Sequence, residues 1–103
     1  MRCRLPAVIL VSSLLGITAA YSSPADTAKG SQLAQQWCAN CHMTSSGRGG
    51  NVQEGPPSFP TIARARTADQ LRAFLSHPHG AMPDLSLTRA EIDDLVGYIE
   101  TLR

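Results

Sequence analysis

Residues 37–43 read WCANCHM, so two cysteines stand three positions apart and a histidine directly follows the second. Thiolates and imidazoles are nucleophiles and metal ligands, and this spacing occurs in three kinds of site. Cys38 and Cys41 could form a reactive disulfide, could supply half of a structural zinc site, or could attach a haem covalently. The elements predicted around the motif help to choose between these.

A disulfide oxidoreductase places Cys-x-x-Cys at the start of a helix that follows a strand. Here the pair lies at the end of a predicted helix, and no alternating strand pattern precedes it. A structural zinc site needs four ligands, usually including a second Cys/His pair. His77 and His79 could supply that pair, but a zinc site gives no role to His42.

Covalent haem attachment accounts for the whole motif. Residues three apart lie on the same side of a helical turn, so Cys38 and Cys41 can both reach the two vinyl groups of one porphyrin edge. His42 is then carried under the iron as its proximal ligand. With one Trp, two Phe and two Tyr, a small domain usually needs a cofactor, metal or disulfide to complete its core. The sequence therefore predicts one haem c.

The N-terminus has the layout of a secretory signal peptide. Arg2 and Arg4 form a short basic start, and residues 5–17 are mostly apolar. Small residues follow, as signal peptidase requires, and place the cleavage position near Ala20-Tyr21. An uncleaved membrane anchor is the competing interpretation, but the apolar run is shorter than the ~20 residues of a spanning helix and is interrupted by two serines and a glycine.

Removal of residues 1–20 leaves residues 21–103 as a single exported domain, which we expect in the periplasm without stable membrane insertion. Cys3 would leave with the signal peptide. Loss of two arginines from nine basic residues leaves seven, against eight acidic ones, a net charge of about −1. A chain without a basic excess is not expected to bind nucleic acid.

Capping and periodicity predict an all-α domain. A first helix runs from residue 25 or 28 to Cys41, opened by Ser23-Pro24 or by Asp26-Thr27. Residues 44–60 are dense in Gly, Ser and Pro and are predicted to form a loop. No alternating strand pattern occurs in the sequence.

Two further helices carry capping boxes, in which an N-cap Thr and a Glu or Gln three residues later exchange hydrogen bonds. One is opened by Thr67 and ends at His77-Pro78. The other is opened by Thr88, and Leu87 and Ile92 hold the positions of a hydrophobic staple. The apolar stripe of this last helix consists of Ile92, Leu95, Val96 and Ile99.

An iron held by His42 alone would be open to oxygen, carbon monoxide or peroxide, whereas a filled sixth position makes an electron-transfer centre. Met43 is adjacent to His42 and cannot reach the other face of the haem. Met82 lies between the last two helices, in a polar stretch with no helix face to pack on. A gap-filling role is the alternative for Met82, and His77 or His79 could give bis-histidine ligation instead.

Four motifs, in their order and spacing, resemble those of the small class I c-type cytochromes over nearly all of residues 21–103. They are CANCH at 38–42, GPPSF at 55–59, HGAMP at 79–83 and EIDDLVGYI at 91–99. The resemblance implies three to four helices wrapped around one covalently bound haem, with Met82 as distal ligand. It also implies that a carbonyl in the turn at 55–57, for which Pro56 is the predicted residue, accepts the Nδ1 proton of His42.

In that family a glycine of the first helix lets the last helix cross closely, and Gly30 and Tyr98 match the two contacting positions. The chain departs from the family at Ala34, where an aromatic residue is common, and Leu33 or Trp37 would take over its contact. We expect Trp37 and Tyr98 to pack in the core rather than to act in redox chemistry. The arginines that could pair with a haem propionate, as an alternative to a solvated surface position, are Arg48, Arg64 and Arg66.

Ligation by His42 and Met82 raises the reduction potential, since a neutral thioether favours ferrous iron. With both axial positions filled, we expect one-electron transfer and no catalytic residues. The predicted function is a periplasmic carrier between a dehydrogenase or bc-type complex and a terminal oxidase or reductase. The alternatives are a dedicated subunit of one periplasmic dehydrogenase, and a haem enzyme or gas sensor with an open sixth site. The near-neutral charge favours weakly charged docking.

Overall fold

The computed structural model describes residues 16, 19, 23–46, 55–78 and 80–103. The predicted signal peptide lies outside these residues apart from Gly16 and Ala19, as do His79 and the middle of the first predicted loop. No strand occurs in the described residues, and the predicted all-α class is confirmed. The same residues contain no helix long and apolar enough to cross a membrane. The helices are α1 (Thr27–Leu33), a π-helical segment (Ala34–Cys38), α2 (Phe59–Ala65), α3 (Ala68–Ser76) and α4 (Arg89–Glu100).

Helix α1 begins where Asp26 caps it. The Asp26 carboxylate accepts hydrogen bonds from the backbone N–H groups of Ala28 and Lys29, each at 3.1 Å. Two of the donors that a helix N-terminus leaves unpaired are thereby satisfied. Of the two predicted starts, the one at Asp26 is confirmed and the one at Ser23 is not.

The first helix ends in a single π-helical turn. The Ala39 N–H donates to the Ala34 carbonyl, five residues back, at 2.9 Å. Turns of this kind are frequent at functional sites, and here one brings a buried Cys38 next to a Trp37 that is 50% exposed. The π-helical segment stops at Cys38, so the predicted helix end at Cys41 was three residues too late.

Helix α2 begins inside the region predicted to be a loop. Ser58 is its N-cap and accepts from the Thr61 N–H at 3.3 Å. Pro60 lies in the first turn, where its missing N–H leaves no helical hydrogen bond unmade. The loop prediction was therefore wrong at Phe59 and Pro60, because a proline that suggested irregular structure is part of a helix start.

Both predicted capping boxes are confirmed. Thr67 Oγ1 accepts from the Gln70 N–H at 3.2 Å, and the Gln70 side chain accepts from the Thr67 N–H at 2.9 Å. Thr88 and Glu91 exchange the same pair of bonds at 3.2 and 2.8 Å. Hydrogen bonds from the backbone and side chain of Thr88 lower the pKa of Glu91. The starts of α3 and α4 are thus fixed by local sequence.

The core forms where α1 and α4 cross. A Cβ on Gly30 would overlap the Asp94 carbonyl group and lie 2.8 Å from Tyr98 Cβ. Only a residue without a side chain permits this approach, and the predicted contact between Gly30 and Tyr98 is confirmed. The predicted stripe of α4 is confirmed as well, since its members are at most 6% exposed: Ile92, Leu95, Val96 and Ile99.

Ala34, where the chain departs from the family, is fully buried and lies one turn after Gly30 on the same helix face. Trp37 is half exposed, so the expectation that it packs in the core was wrong. Tyr98 packs against the core as expected.

We predict that Gly30→Ala destabilises the protein by about 2 kcal/mol, which is the upper end of the overpacking cost less the gain in helix propensity. The new methyl group must displace the Asp94 backbone, and overpacking of a tight contact costs ~1–3 kcal/mol or more. That loss exceeds the gain of ~1 kcal/mol that alanine brings to a helix. Thermal and denaturant unfolding of the intact protein would measure the difference.

Gly97→Ala is the matched control on the partner helix. A Cβ on Gly97 would lie 2.8 Å from Ala25 Cβ and 3.7 Å from Thr27 Cγ2. The Ala25 Cβ moves only with its backbone, and the adjacent Asp26 N–H is bonded to the Asp94 carboxylate at 2.7 Å. No backbone atom is overlapped as at Gly30, however, and helix propensity offsets part of the strain, so we expect a loss of about 1 kcal/mol, smaller than that of Gly30→Ala. Equal losses in the two variants would argue against a special backbone contact at Gly30.

Candidate functional site

One cavity brings the predicted site residues together. Its volume is ≈ 820 Å³, within the range of ~300–1,000 Å³ typical of ligand pockets. It is lined by residues from the end of the first helix, the turn before α2, the helices α2 to α4 and the segment between α3 and α4. The predicted site residues among them are Cys38, Cys41, His42, Pro56 and Met82.

The two cysteines of the motif are free thiols in different environments. Cys38 is buried and Cys41 is exposed. Burial raises the pKa of the Cys38 thiol, whereas a reactive dithiol needs a lowered pKa, usually at a helix N-terminus. Cys38 is the last residue of the π-helical segment. These features argue against a disulfide oxidoreductase.

The described residues also give no support to a zinc site. No group of three or more His, Cys, Asp or Glu side chains among them could hold a metal ion. His77 lines the cavity, and His79 lies outside the described residues. A structural zinc site needs four ligands, so this part of the chain does not form one.

Backbone from the next loop holds the His42 ring. Nδ1 of His42 lies 2.7 Å from the Pro57 carbonyl oxygen. A carbonyl can only accept, so Nδ1 carries the proton and Nε2 keeps its lone pair. The predicted hydrogen bond to a carbonyl of the turn at 55–57 is confirmed, and the acceptor is Pro57, the residue after Pro56. Pro57 directly precedes the Ser58 cap, so its carbonyl stays outside α2 and free to accept, while Pro56 lines the cavity.

Two aromatic residues brace the segment that follows His42. The Phe59 ring centroid lies 5.7 Å from that of His42, and the Phe59 N–H donates to the Met43 carbonyl at 2.9 Å. The Tyr98 ring lies 6.4 Å from Phe59, and its hydroxyl donates to the Thr44 carbonyl at 2.5 Å. Sequence reasoning gave Phe59 no role. The Ser-x-Pro helix start around it is the signal that would have placed it in α2.

Two of the candidates for a second axial ligand line the cavity. Met82 is half-buried there, and His77 is exposed. Met43 does not line the cavity. A polarizable thioether packs well among apolar side chains, and Leu85 lines the same cavity.

Arg66 carries the one permanent charge among the described residues that line the cavity. It follows the last residue of α2, and its side chain is exposed. Arg64 lies in the last turn of α2 and does not line the cavity, and Arg48 lies outside the described residues. Of the three arginines considered, Arg66 is the one placed near an anionic group bound in the cavity.

The chemistry of the lining fits a haem. Thiols at Cys38 and Cys41 can form thioether bonds with the vinyl groups of a haem, and the free Nε2 of His42 and the thioether of Met82 are donors suited to iron. The walls between them are mainly aliphatic and aromatic, as a porphyrin plane requires. Apart from the cation at Arg66, they present no permanently charged group in the described part of the chain.

Comparisons with known proteins agree with this chemistry. The family described as cytochrome c oxidase, cbb3-type, subunit III matches residues 25–99. Cytochrome c-552 of Bradyrhizobium diazoefficiens is 36% identical over 94 residues, which cover 87% of this chain and 89% of the relative. The cytochrome bc1 complex cytochrome c subunit of Corynebacterium diphtheriae is 35% identical over 83 residues, 78% of this chain but 28% of the longer relative. No solved structure gives a significant match.

The residues that match this family, 25–99, include the haem-attachment motif and all but the last residue of α4. A single Cys-x-x-Cys-His motif occurs in the sequence, which corresponds to one haem. The chain therefore belongs to the c-type cytochromes and is a small mono-haem electron carrier with covalently bound haem c.

Proposed function

We propose that this cytochrome is a periplasmic one-electron carrier, with its haem bound through Cys38 and Cys41 and ligated by His42 and Met82. The observation that carries the proposal is the single cavity that all four residues line. Haem c, when bound, supplies a one-electron ferric/ferrous couple.

The residues around the cavity suit electron transfer rather than substrate chemistry. Pro57 accepts the Nδ1 proton of His42, which fixes the imidazole and raises the basicity of Nε2. The neutral thioether of Met82 favours the ferrous state, and the apolar walls disfavour the additional charge of the ferric state. If Met82 as well as His42 held the iron, no position at the metal would remain for a substrate, so we expect no enzymatic activity.

A fixed subunit of a respiratory complex is the second candidate. The matched family is described as an oxidase subunit, and one relative is named as a subunit of a bc1 complex. These names favour a bc-type complex or a terminal oxidase as partner, with a periplasmic dehydrogenase or a reductase as further partner classes. Osmotic-shock release as a free protein would support the carrier. Copurification with a stoichiometric partner would support the subunit.

We predict that the exported protein lacks residues 1–20 and retains one haem after denaturation, because thioether bonds survive unfolding. Intact mass spectrometry and haem staining of a denaturing gel would measure both. Cys41→Ala is the matched variant, and its pyridine–haem spectrum should shift to that of a haem with one vinyl group unreacted. A haem lost on denaturation, or a retained N-terminus, would contradict the assignment.

We predict that Met82→Ala opens the sixth position. Met82 is the one methionine among the described residues that line the cavity, so its removal leaves no thioether in reach. The wild type should show the weak far-red ferric band of a sulfur–iron bond and no response to carbon monoxide. The variant should lose the band, bind carbon monoxide and have a lower reduction potential.

Two further variants make this test specific. Met43→Ala removes a methionine that does not line the cavity, and it should keep both the band and the exclusion of carbon monoxide. His77 could occupy a position vacated by Met82, so Met82→Ala is also made in a His77→Ala background. Carbon monoxide binding by the wild type would instead favour the gas sensor or enzyme.

We predict that Arg66→Gln lowers the reduction potential by about 10–40 mV. Removing a cation near the haem propionates makes the ferric state, which has the extra positive charge, more favourable. An exposed pair contributes ~0.2–1 kcal/mol, which for one electron corresponds to this range. Arg64→Gln removes the same charge from a position outside the cavity lining. An equal shift in both variants would show a general charge effect and no propionate pair.

A further inference from the structure

Several of the described residues that line the cavity are exposed, and Arg66 is the one among them with a permanent charge. The exposed lining residues of three parts of the chain are uncharged: the end of the first helix, the turn before α2 and the segment around Met82. We call six of these residues, none of them charged, the mouth surface. They are Trp37, Cys41, Pro56, Pro57, Ala81 and Pro83.

Trp37 is the most unusual member of the mouth surface. It is the one large hydrophobic residue that is exposed in the described part of the chain, with half of its surface in contact with solvent. Its sequence neighbour Cys38, one of the two cysteines of the haem-attachment motif, is buried. Exposed tryptophans that lie beside a pocket are typical of interaction sites, because Trp is enriched among the residues that dominate binding.

Many of the charged residues described are paired with one another away from the cavity. Lys29 pairs with Asp26 on α1, and Arg103 pairs with Glu100 at the end of α4. Arg72 of α3 pairs with two aspartates. None of these residues lines the cavity.

The described lining of the cavity has Arg66 as its one permanent charge, and Asp84 directly follows Pro83 of the mouth surface. With one cation in the lining and one anion next in sequence, the mouth surface offers little net electrostatic field that could steer a charged partner towards it.

Resting on the carrier function proposed above, we infer that the mouth surface docks a redox protein whose own contact patch is apolar and uncharged, with Trp37 as the main anchor. A charged partner patch would be desolvated against this surface without a counter-charge, which disfavours it. An apolar patch instead buries the indole of Trp37. Electron-transfer complexes are small and short-lived, and one aromatic anchor among small residues suits such a contact.

The test follows oxidation of the reduced, haem-loaded protein by respiratory membranes from the cells that make it. Ferricyanide serves as a second oxidant, because it is too small to need the docking surface. We expect the membrane rate of the wild type to change less than about twofold between low and high salt, since there is little charge to screen.

Substitutions at Trp37 separate docking from haem chemistry. For Trp37→Ala the ratio of the membrane rate to the ferricyanide rate should fall about tenfold, as for loss of a central aromatic anchor. Trp37→Phe should restore most of this ratio. Gln36→Ala changes an exposed neighbour that does not line the cavity, and it should leave the ratio as in the wild type.

Several results would overturn the inference. A membrane rate that falls steeply with salt would show charge-steered docking, and an unchanged ratio in Trp37→Ala would remove Trp37 as anchor. If Trp37-dependent dimers are found in sedimentation, the mouth surface binds a second copy of this chain instead. If the protein binds protein-free phosphatidylcholine vesicles in a Trp37-dependent way, the mouth surface binds lipid instead. If ferricyanide oxidises the wild type but membranes do not, the carrier function itself fails, and the docking inference fails with it.

Discussion

The close approach of two backbones at Gly30 sets the distance between α1 and α4, and the site depends on that distance. α1 continues through the π-helical turn to Cys38, so the crossing determines where the haem-attachment motif lies. From α4, Leu95 and Ile99 line the cavity. The same helix pair therefore builds the core and one wall of the site. A side chain at Gly30 would move both together.

A second set of contacts transmits this geometry to the imidazole of His42. The carbonyls of Pro57, Met43 and Thr44 each accept a hydrogen bond, from His42 itself, from the Phe59 backbone and from the Tyr98 hydroxyl. Thr44 is buried, and a buried backbone carbonyl without a donor would be costly. These three bonds come from different elements, so the ring orientation is determined by tertiary structure and not by the motif alone.

The parts of the molecule that could be predicted from sequence are those with local signals. The capping boxes at Thr67 and Thr88 and the stripe of α4 need only a few neighbouring residues to be recognised. Helix α2 was missed because its proline signals a loop as well as a helix start. The exposure of Trp37 could not be foreseen, since it depends on how the π-helical turn places residues 37 and 38 relative to the core. The choice of Pro57 over Pro56 depends on where α2 begins.

The two sides of the cavity differ in how they are held in place. On the Met82 side, Gly80 and Ser86 adopt positive φ values of 74° and 53°, and the hydrogen bond described for residues 80–87 runs from the Ser86 N–H to the Asp84 carboxylate at 2.8 Å. Segments with few internal hydrogen bonds open locally at a lower free energy than packed helices. We therefore expect the segment of Met82 to open locally more often than the packed elements that hold His42.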